Sequence, residues 1–190
     1  MRVQMLGGAW KGRAVVIPKE LGLRPTSQKV RAALFNLLGP RVAGARVLDL
    51  FAGTGALGLE AASRGAAAVT FVERSAACTD ALRRTLTTFG PLPGLAAEVL
   101  TEDVFATVRR LAGQGKTFDL VLADPPYGGP WGRKSLQGVS AHAIIAAAGT
   151  MVLEGPTGEA PPPGLQPTRQ VRYGDTTLSF YDQRGLSRHL

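Results

Sequence analysis

The chain has 190 residues, with 22 Lys+Arg against 14 Asp+Glu, a formal net charge of +8 and 45% hydrophobic content. That length suits one folded domain with at most a small appendage, and the Gly and Pro counts stay below those of low-complexity disorder. No apolar run approaches the roughly 18 residues of a membrane span, residues 1–10 lack a signal-peptide core, and a single cysteine, Cys78, excludes a disulfide framework or cysteine zinc cage. The expectation is a cytoplasmic protein.

The charge is unevenly placed. Residues 1–46 hold nine basic side chains (Arg2, Lys11, Arg13, Lys19, Arg24, Lys29, Arg31, Arg41, Arg46) and one acid, Glu20, whereas residues 47–190 hold thirteen of each sign. A basic segment joined to a neutral body suits a polyanion, since each neutralised phosphate releases counterions. A solvated face in an arginine-rich composition is the plainer alternative.

Gly7, Gly8 and Gly12 punctuate two strand-like runs, 2–5 and 13–17, which predict a small hairpin. Residues 18–25 read as a loop. Thr26 or Ser27 then caps a helix whose apolar positions, Val30, Ala33, Leu34, Leu37 and Leu38, follow helical spacing up to Gly39-Pro40. From Val47 onward the pattern alternates. Strands are predicted at 47–51, 68–72, 97–100, 118–123 and 151–153, with helices at 56–63, 75–89, 104–112 and 139–148. Apolar strands separated by helices indicate a parallel sheet covered on both faces. The proline-rich stretch 155–167 reads as a mobile loop. Two further runs, 170–173 and 177–181, flank Gly174-Asp175 and predict a closing antiparallel hairpin.

Acids recur where these strands end. Asp49 lies inside an apolar strand, where a carboxylate needs a partner, and the turn Gly53-Thr54-Gly55-Ala56-Leu57-Gly58 follows it. Glu73, Glu102-Asp103 and Asp124 end the next three strands, on the edge where open parallel sheets bind ligands. The glycine pattern alone fits a dinucleotide as well as S-adenosylmethionine. Asp49 beside it suits a cationic ligand better than a pyrophosphate, and the sheet is short for two mononucleotide-binding halves.

Asp124-Pro125-Pro126-Tyr127 is more specific. The two prolines fix a stiff turn, so the Asp124 carboxylate and the turn carbonyls converge as acceptors beside the Tyr127 ring. An exocyclic amine of a nucleobase is a poor nucleophile, because its lone pair is delocalised. Two acceptors holding its hydrogens favour tetrahedral nitrogen, while an aromatic stack worth about 1–3 kcal/mol holds the base.

Together the segments Asp49-Leu50-Phe51-Ala52-Gly53-Thr54-Gly55, Glu73 and Asp124-Pro125-Pro126-Tyr127 resemble the S-adenosylmethionine-dependent amino-methyltransferases of DNA and RNA. Gly8-Ala9-Trp10-Lys11-Gly12-Arg13, Leu23-Arg24-Pro25-Thr26, Val30-Arg31 with Leu34-Phe35-Asn36, and Tyr173-Gly174-Asp175-Thr176 with Leu178-Ser179-Phe180 narrow the resemblance. They are similar to the bacterial guanine-N2 methyltransferases of 16S ribosomal RNA, from Arg2 to Tyr181 and in the family's order.

That resemblance implies a Rossmann-like class I methyltransferase: a seven-stranded, mostly parallel sheet with helices on both faces and a C-terminal antiparallel hairpin. Residues 1–46 would form a basic RNA-binding extension and 47–190 the methyltransferase domain. It implies Asp49 near the methionine amino group, and the turn of Phe51, Ala52, Gly53, Thr54 and Gly55 around the cofactor. Glu73, with Arg74 beside it, would take the ribose hydroxyls, and Asp103 with the Val104 backbone the adenine. Asp124, Pro125, Pro126 and Tyr127 would carry out transfer, and Lys11, Arg13, Arg24, Lys29 and Arg31 would hold RNA. The implied partner is 16S ribosomal RNA in the small subunit or an assembly intermediate, the implied state a monomer, and no metal is implied. The sequence departs from the family at Ala32 and Gln28, where an acid is usual. A DNA adenine-N6 or cytosine-N4 methyltransferase, a non-catalytic RNA-binding assembly factor and a nicotinamide-dependent oxidoreductase are the alternatives.

Other residues have plainer readings. Trp10 serves as a stacking platform or a hairpin anchor, and Trp131 as a lid or loop anchor in the unassigned stretch 128–136. Cys78 reads as an apolar filler, and His142 and His189 lack the neighbours of a metal site.

Overall fold

Two short strands come first, β1 (Arg2–Gln4) and β2 (Ala14–Val16), paired antiparallel as the glycine punctuation predicts. The computed structural model describes residues 1–18, 21 and 27–186. The loop motif around Arg24 therefore lies outside the described residues, as do Lys19, Glu20, Thr26 and His189. Helix α1 (Gln28–Leu38) starts where Ser27 Oγ accepts the Val30 amide at 3.2 Å, and Gly39 ends it at φ 54°.

The alternating body follows: β3 (Arg46–Leu50), α2 (Ala56–Ser63), β4 (Ala68–Glu73), α3 (Ala76–Phe89), β5 (Ala96–Thr101), α4 (Val104–Gly113) and β6 (Phe118–Ala123). Then come α5 (Trp131–Ala141), β7 (Ile145–Pro156), β8 (Arg169–Tyr173), β9 (Thr176–Asp182) and the short α6 (Gln183–Leu186). The sheet has seven strands in the order β5-β4-β3-β6-β7-β9-β8. Strands β3 to β7 pair in parallel, while β9 runs antiparallel to both β7 and β8. This is the Rossmann-like architecture with a C-terminal hairpin. Among the described residues no helix is long and apolar enough to cross a membrane.

The chain order reverses between β3 and β6, whose ends are level: Leu50 pairs with Ala123. The loops that leave these strands therefore start side by side and open the crevice in which sheets of this kind bind ligands.

One part of the sequence reading is corrected. Residues 128–136 and 139–148, read as loop and helix, form α5 up to Ala141 and then β7 from Ile145. The alanines at 146–148 favour a helix in isolation. Parallel pairing overrides that preference, with Phe118 opposite Ile145 and, after a register shift, Leu120 opposite Thr150. His142 caps the end of α5 and does not lie on a helix face. The strand read as 151–153 is correspondingly longer and carries the chain to Pro156.

The N-terminal hairpin does not have a core of its own. Val3, Met5, Trp10, Val15 and Ile17 share one buried cluster with α1 and with Val47, Leu59 and Phe71 of the sheet domain. Trp10 is 3% exposed and meets Phe89 edge-on at 5.2 Å, so it is an anchor and not a stacking platform. The Ala9 and Trp10 amides donate to Ser63 O at 2.7 Å and Ser63 Oγ at 2.8 Å at the end of α2.

Candidate active site

The first loop of the crevice is Phe51 to Gly55. Phe51 adopts φ 60°, a left-handed conformation that costs a bulky residue of order 1–3 kcal/mol. Gly53 and Gly55 also take positive φ, 54° and 83°, and Gly55 is the N-cap of α2. A larger residue at Gly55 would have to take this positive φ and also displace Leu82, whose Cδ1 lies 2.4 Å from where its Cβ would sit. The turn is closed by the Ala52 amide donating to Val72 O at 3.0 Å and the Gly55 amide to Ala52 O at 2.7 Å. Thr54 is buried inside it.

Asp49 lies beneath this turn, 1% exposed, with Oδ2 accepting the Gly58 amide at 2.9 Å. Burial pushes its carboxyl up to about 7, against the pull of that amide, and the negative charges of Asp124 and Glu73 push the same way. A carboxylate held in this state favours a cation in the crevice.

Glu73 ends β4 and braces the turn. Its Oε2 accepts the Gly53 amide at 3.0 Å and its Oε1 the Ser75 amide at 2.8 Å. Each oxygen keeps a second acceptor site, enough for the two hydroxyls of a ribose. Arg74 is exposed beside it. Asp103 Oδ1 caps α4 by accepting the Phe105 and Ala106 amides, both at 3.0 Å, while the Val104 side chain is buried in the core. The neighbouring acid Glu102 turns away to Arg110 at 2.7 Å and Thr107 at 2.8 Å, so it is not part of the crevice.

The second loop begins at Asp124, directly after Ala123. Asp124 is half-buried, Pro125 buried, and Pro126 and Tyr127 exposed. The Tyr127 ring is 50% exposed, and its hydroxyl shares a hydrogen bond of 3.1 Å with Thr176 Oγ1 at the start of β9. Thr176 was not legible as a site residue, although it belongs to the Tyr173–Thr176 segment of the family resemblance.

Three aromatic rings join the two loops. Phe51 meets Phe105 edge-on at 6.2 Å, and Phe105 stacks on Trp131 at 6.2 Å with 20° between planes. Trp131 thus opens α5 as part of an aromatic wall. Its position four residues after Tyr127 was the available signal; nothing in the sequence singled out Phe105.

The basic residues separate. Lys11 and Lys29 are exposed. Arg13 donates to Phe89 O and Thr88 O, both at 2.6 Å, and lies over the Phe89 ring at 4.7 Å, so its guanidinium fastens the hairpin to the end of α3. Arg31 is withdrawn as an RNA contact. It is 1% exposed, donates to Gln4 O and lies 3.8 Å from Glu60, whose other oxygen meets Arg64 at 2.8 Å. Gln28 is exposed and Ala32 half-buried on α1, so neither departure from the family opens a buried charge.

Comparison with known proteins adds a lineage to this geometry. Over 126 residues the chain is 40% identical to Ribosomal RNA small subunit methyltransferase D of Escherichia coli K12, a match covering 66% of this chain and 61% of that protein. With Bacillus subtilis YlbH it shares 31% identity over 186 residues, covering 96% of this chain and 100% of the other. The solved structure of Escherichia coli yhhF superposes with a TM-score of 0.81 at 31% identity, covering 95% and 97% of the two chains. The family described as Conserved hypothetical protein 95 matches residues 3–182, and the chain belongs to it.

Proposed function

We propose that this chain transfers a methyl group from S-adenosylmethionine to the exocyclic N2 of a guanine in 16S ribosomal RNA. One observation carries the reading: the stiff Asp124–Tyr127 turn and the glycine turn over Asp49 leave paired strand ends at the switch point of the sheet. The name of the Escherichia coli relative points the same way, to small-subunit ribosomal RNA.

The crevice fits the cofactor by the chemistry of its groups. Asp49 is a buried carboxylate suited to an ammonium, Glu73 has acceptor capacity for a ribose diol, and Asp103 with the Val104 backbone borders the end where an adenine would lie. When bound, S-adenosylmethionine supplies an electrophilic methyl group on sulfonium. The residues of the chain position the other reactant. Asp124 and the turn carbonyls accept the N–H groups of the guanine amine, which localises its lone pair, and Tyr127 stacks on the base. The guanine reaches them only when unstacked from its neighbours. The proton lost from nitrogen passes to Asp124 or to solvent. The substrate is 16S ribosomal RNA within the small subunit or an assembly intermediate, held in part by Lys11 and Lys29.

Asp124→Ala tests this. With labelled S-adenosylmethionine and small subunits from cells lacking the gene, the variant keeps cofactor affinity and loses at least about 100-fold in transfer, as when a positioned polar group is removed. Wild-type turnover in the variant would sink the mechanism. Mass spectrometry of the product locates the methyl group on N2.

A further inference from the structure

A cavity of about 420 Å³ lies beside the Asp124–Tyr127 turn, between α5, the end of β7 and the β8–β9 hairpin. Its size falls in the range of small-molecule pockets. None of residues 124–127 lines it, so it is a different place from the crevice where an amine meets Asp124. The two are nonetheless neighbours. Leu153 in the cavity wall pairs with Ala123, the residue before Asp124, and Thr177 in the opposite wall follows Thr176, which bonds to Tyr127.

The walls carry the chemistry of a nucleotide site. Arg133 projects from α5 and Arg172 from β8, and both are exposed. The Arg172 Nε donates to Gly174 O at 2.9 Å, which orients its guanidinium and leaves the Nη donors directed elsewhere. Glu159 lies over Gly155, its Oε2 3.7 Å from where a Cβ on that residue would sit, and so brings an acceptor into the cavity. Gln170 adds an amide, held by its Nε2 donating to Ser179 Oγ at 2.9 Å. Guanidinium groups suit phosphates, while a carboxylate and an amide suit the N–H and acceptor edges of a base.

We infer that this cavity receives the RNA nucleotide adjacent to the methylated guanine, with Arg133 and Arg172 on its phosphates and Glu159 and Gln170 facing its base. The inference rests on the proposed rRNA methyl transfer for the identity of the chain bound. Thr176 and Thr177 face opposite sides of β9, so an RNA strand that presents one base to Tyr127 would turn past the hairpin tip at Gly174-Asp175 to bring the next nucleotide to the cavity. Splaying that neighbour into a pocket of its own also unstacks the target, which methyl transfer requires.

The test is binding of 16S ribosomal RNA and of small subunits to the full chain across a KCl series, comparing wild type with the double variant Arg133→Ala/Arg172→Ala. The expected result is at least fivefold weaker binding. The slope of log affinity against log salt should fall by about 1.4, two phosphates at about 0.7 each for single-stranded RNA. S-adenosylmethionine affinity and melting temperature should not change. A matched variant, Arg84→Ala/Arg109→Ala, removes two exposed charges from α3 and α4 and should leave binding within twofold. Equal losses in both double variants, or no loss in the first, overturn the inference. Should the first prove unstable, Arg133→Gln alone replaces it, with half the slope change expected. Methyl transfer by the wild type is scored separately. Its absence would overturn the proposed function, while the binding comparison would still decide the cavity.

Discussion

The Tyr127 hydroxyl and Thr176 Oγ1 are 3.1 Å apart although 49 positions separate them in the chain. This bond ties the proline turn after β6 to the tip of the β8–β9 hairpin, so the one exposed ring in the turn is held at its far end. A neutral hydrogen bond of this kind contributes about 1 kcal/mol. Tyr127→Phe and Thr176→Val should therefore each lower transfer about fivefold, and the double variant should be no worse than either alone. Tyr127→Ala also removes the stack and should cost about 1–3 kcal/mol. Single-turnover rates with labelled S-adenosylmethionine measure all four. Additive losses in the double variant would show that the bond does not position the ring.

Asp49 makes cofactor binding and stability depend on pH in opposite senses. Its folded carboxyl titrates at about 7 against an ordinary value of 3.8, so the folded protein holds this proton more tightly than the unfolded chain does. The stability it contributes is present below about pH 4 and is lost as pH rises through about 7, on the order of 4 kcal/mol across that window. In the absence of cofactor, the protein should be less stable at pH 8 than at pH 6 from this group, and Asp49→Asn should flatten the slope. A methionine ammonium needs the charged form, so affinity for S-adenosylmethionine should rise through the same window. Calorimetry in two buffers of different ionisation enthalpy should detect about one proton released per cofactor at pH 6 and few above pH 8, following this titration. Proton release that does not vary with pH would remove Asp49 from the cofactor site.

The close packing beneath the glycine turn can be tested at Gly58. A Cβ at this position would lie 2.3 Å from Phe71 Cε1 and 2.9 Å from Asp49 Oδ2. In an open helix Gly→Ala would gain about 1 kcal/mol, but overpacking a tight core costs about 1–3 kcal/mol. The sum is a net cost of at most about 2 kcal/mol, so Gly58→Ala should lower the melting temperature by up to about 8 °C in a chain of this size. It also moves the Asp49 carboxylate, so cofactor affinity should fall with stability. An unchanged melting temperature would mean that Phe71 relaxes freely.

Which features were legible follows from how local their causes are. Asp49, Glu73, Asp103 and Asp124 could be placed at strand ends because apolar runs and glycine turns are written in consecutive residues. The start of strand β7, ahead of the predicted 151–153, was missed because Ile145 pairs with Phe118, more than twenty positions earlier, and the isolated propensity of the alanines that follow it points the other way. The basic segment failed differently. Sequence shows that Arg31 is charged, but not that Glu60 of α2, itself paired with Arg64 just past that helix, lies beside it. Thr176 and Phe105 acquire their roles only from contacts across the crevice.

The divided fate of the basic residues gives the sharpest separation of binding from folding. Lys11 and Lys29 are exposed, whereas Arg31 is buried beside Glu60. Burial lowers the Arg31 pKa, Glu60 raises it and the nearby Arg64 lowers it again, so Glu60 is the group that favours the charged guanidinium here. Removing one member of a buried ion pair costs up to about 3–5 kcal/mol, although Arg64 and the Leu6 amide, each 2.8 Å from Glu60, remain to hold that carboxylate. Arg31→Met should therefore lower the melting temperature and leave the salt dependence of RNA binding as it was. Lys11→Ala/Lys29→Ala should do the reverse, keeping the melting temperature while reducing the slope of log affinity against log salt by about 1.4. Thermal melts and filter binding on the same preparations decide the matter. A salt slope that falls in Arg31→Met but not in the lysine variant would return Arg31 to the RNA and refute the buried network as its role.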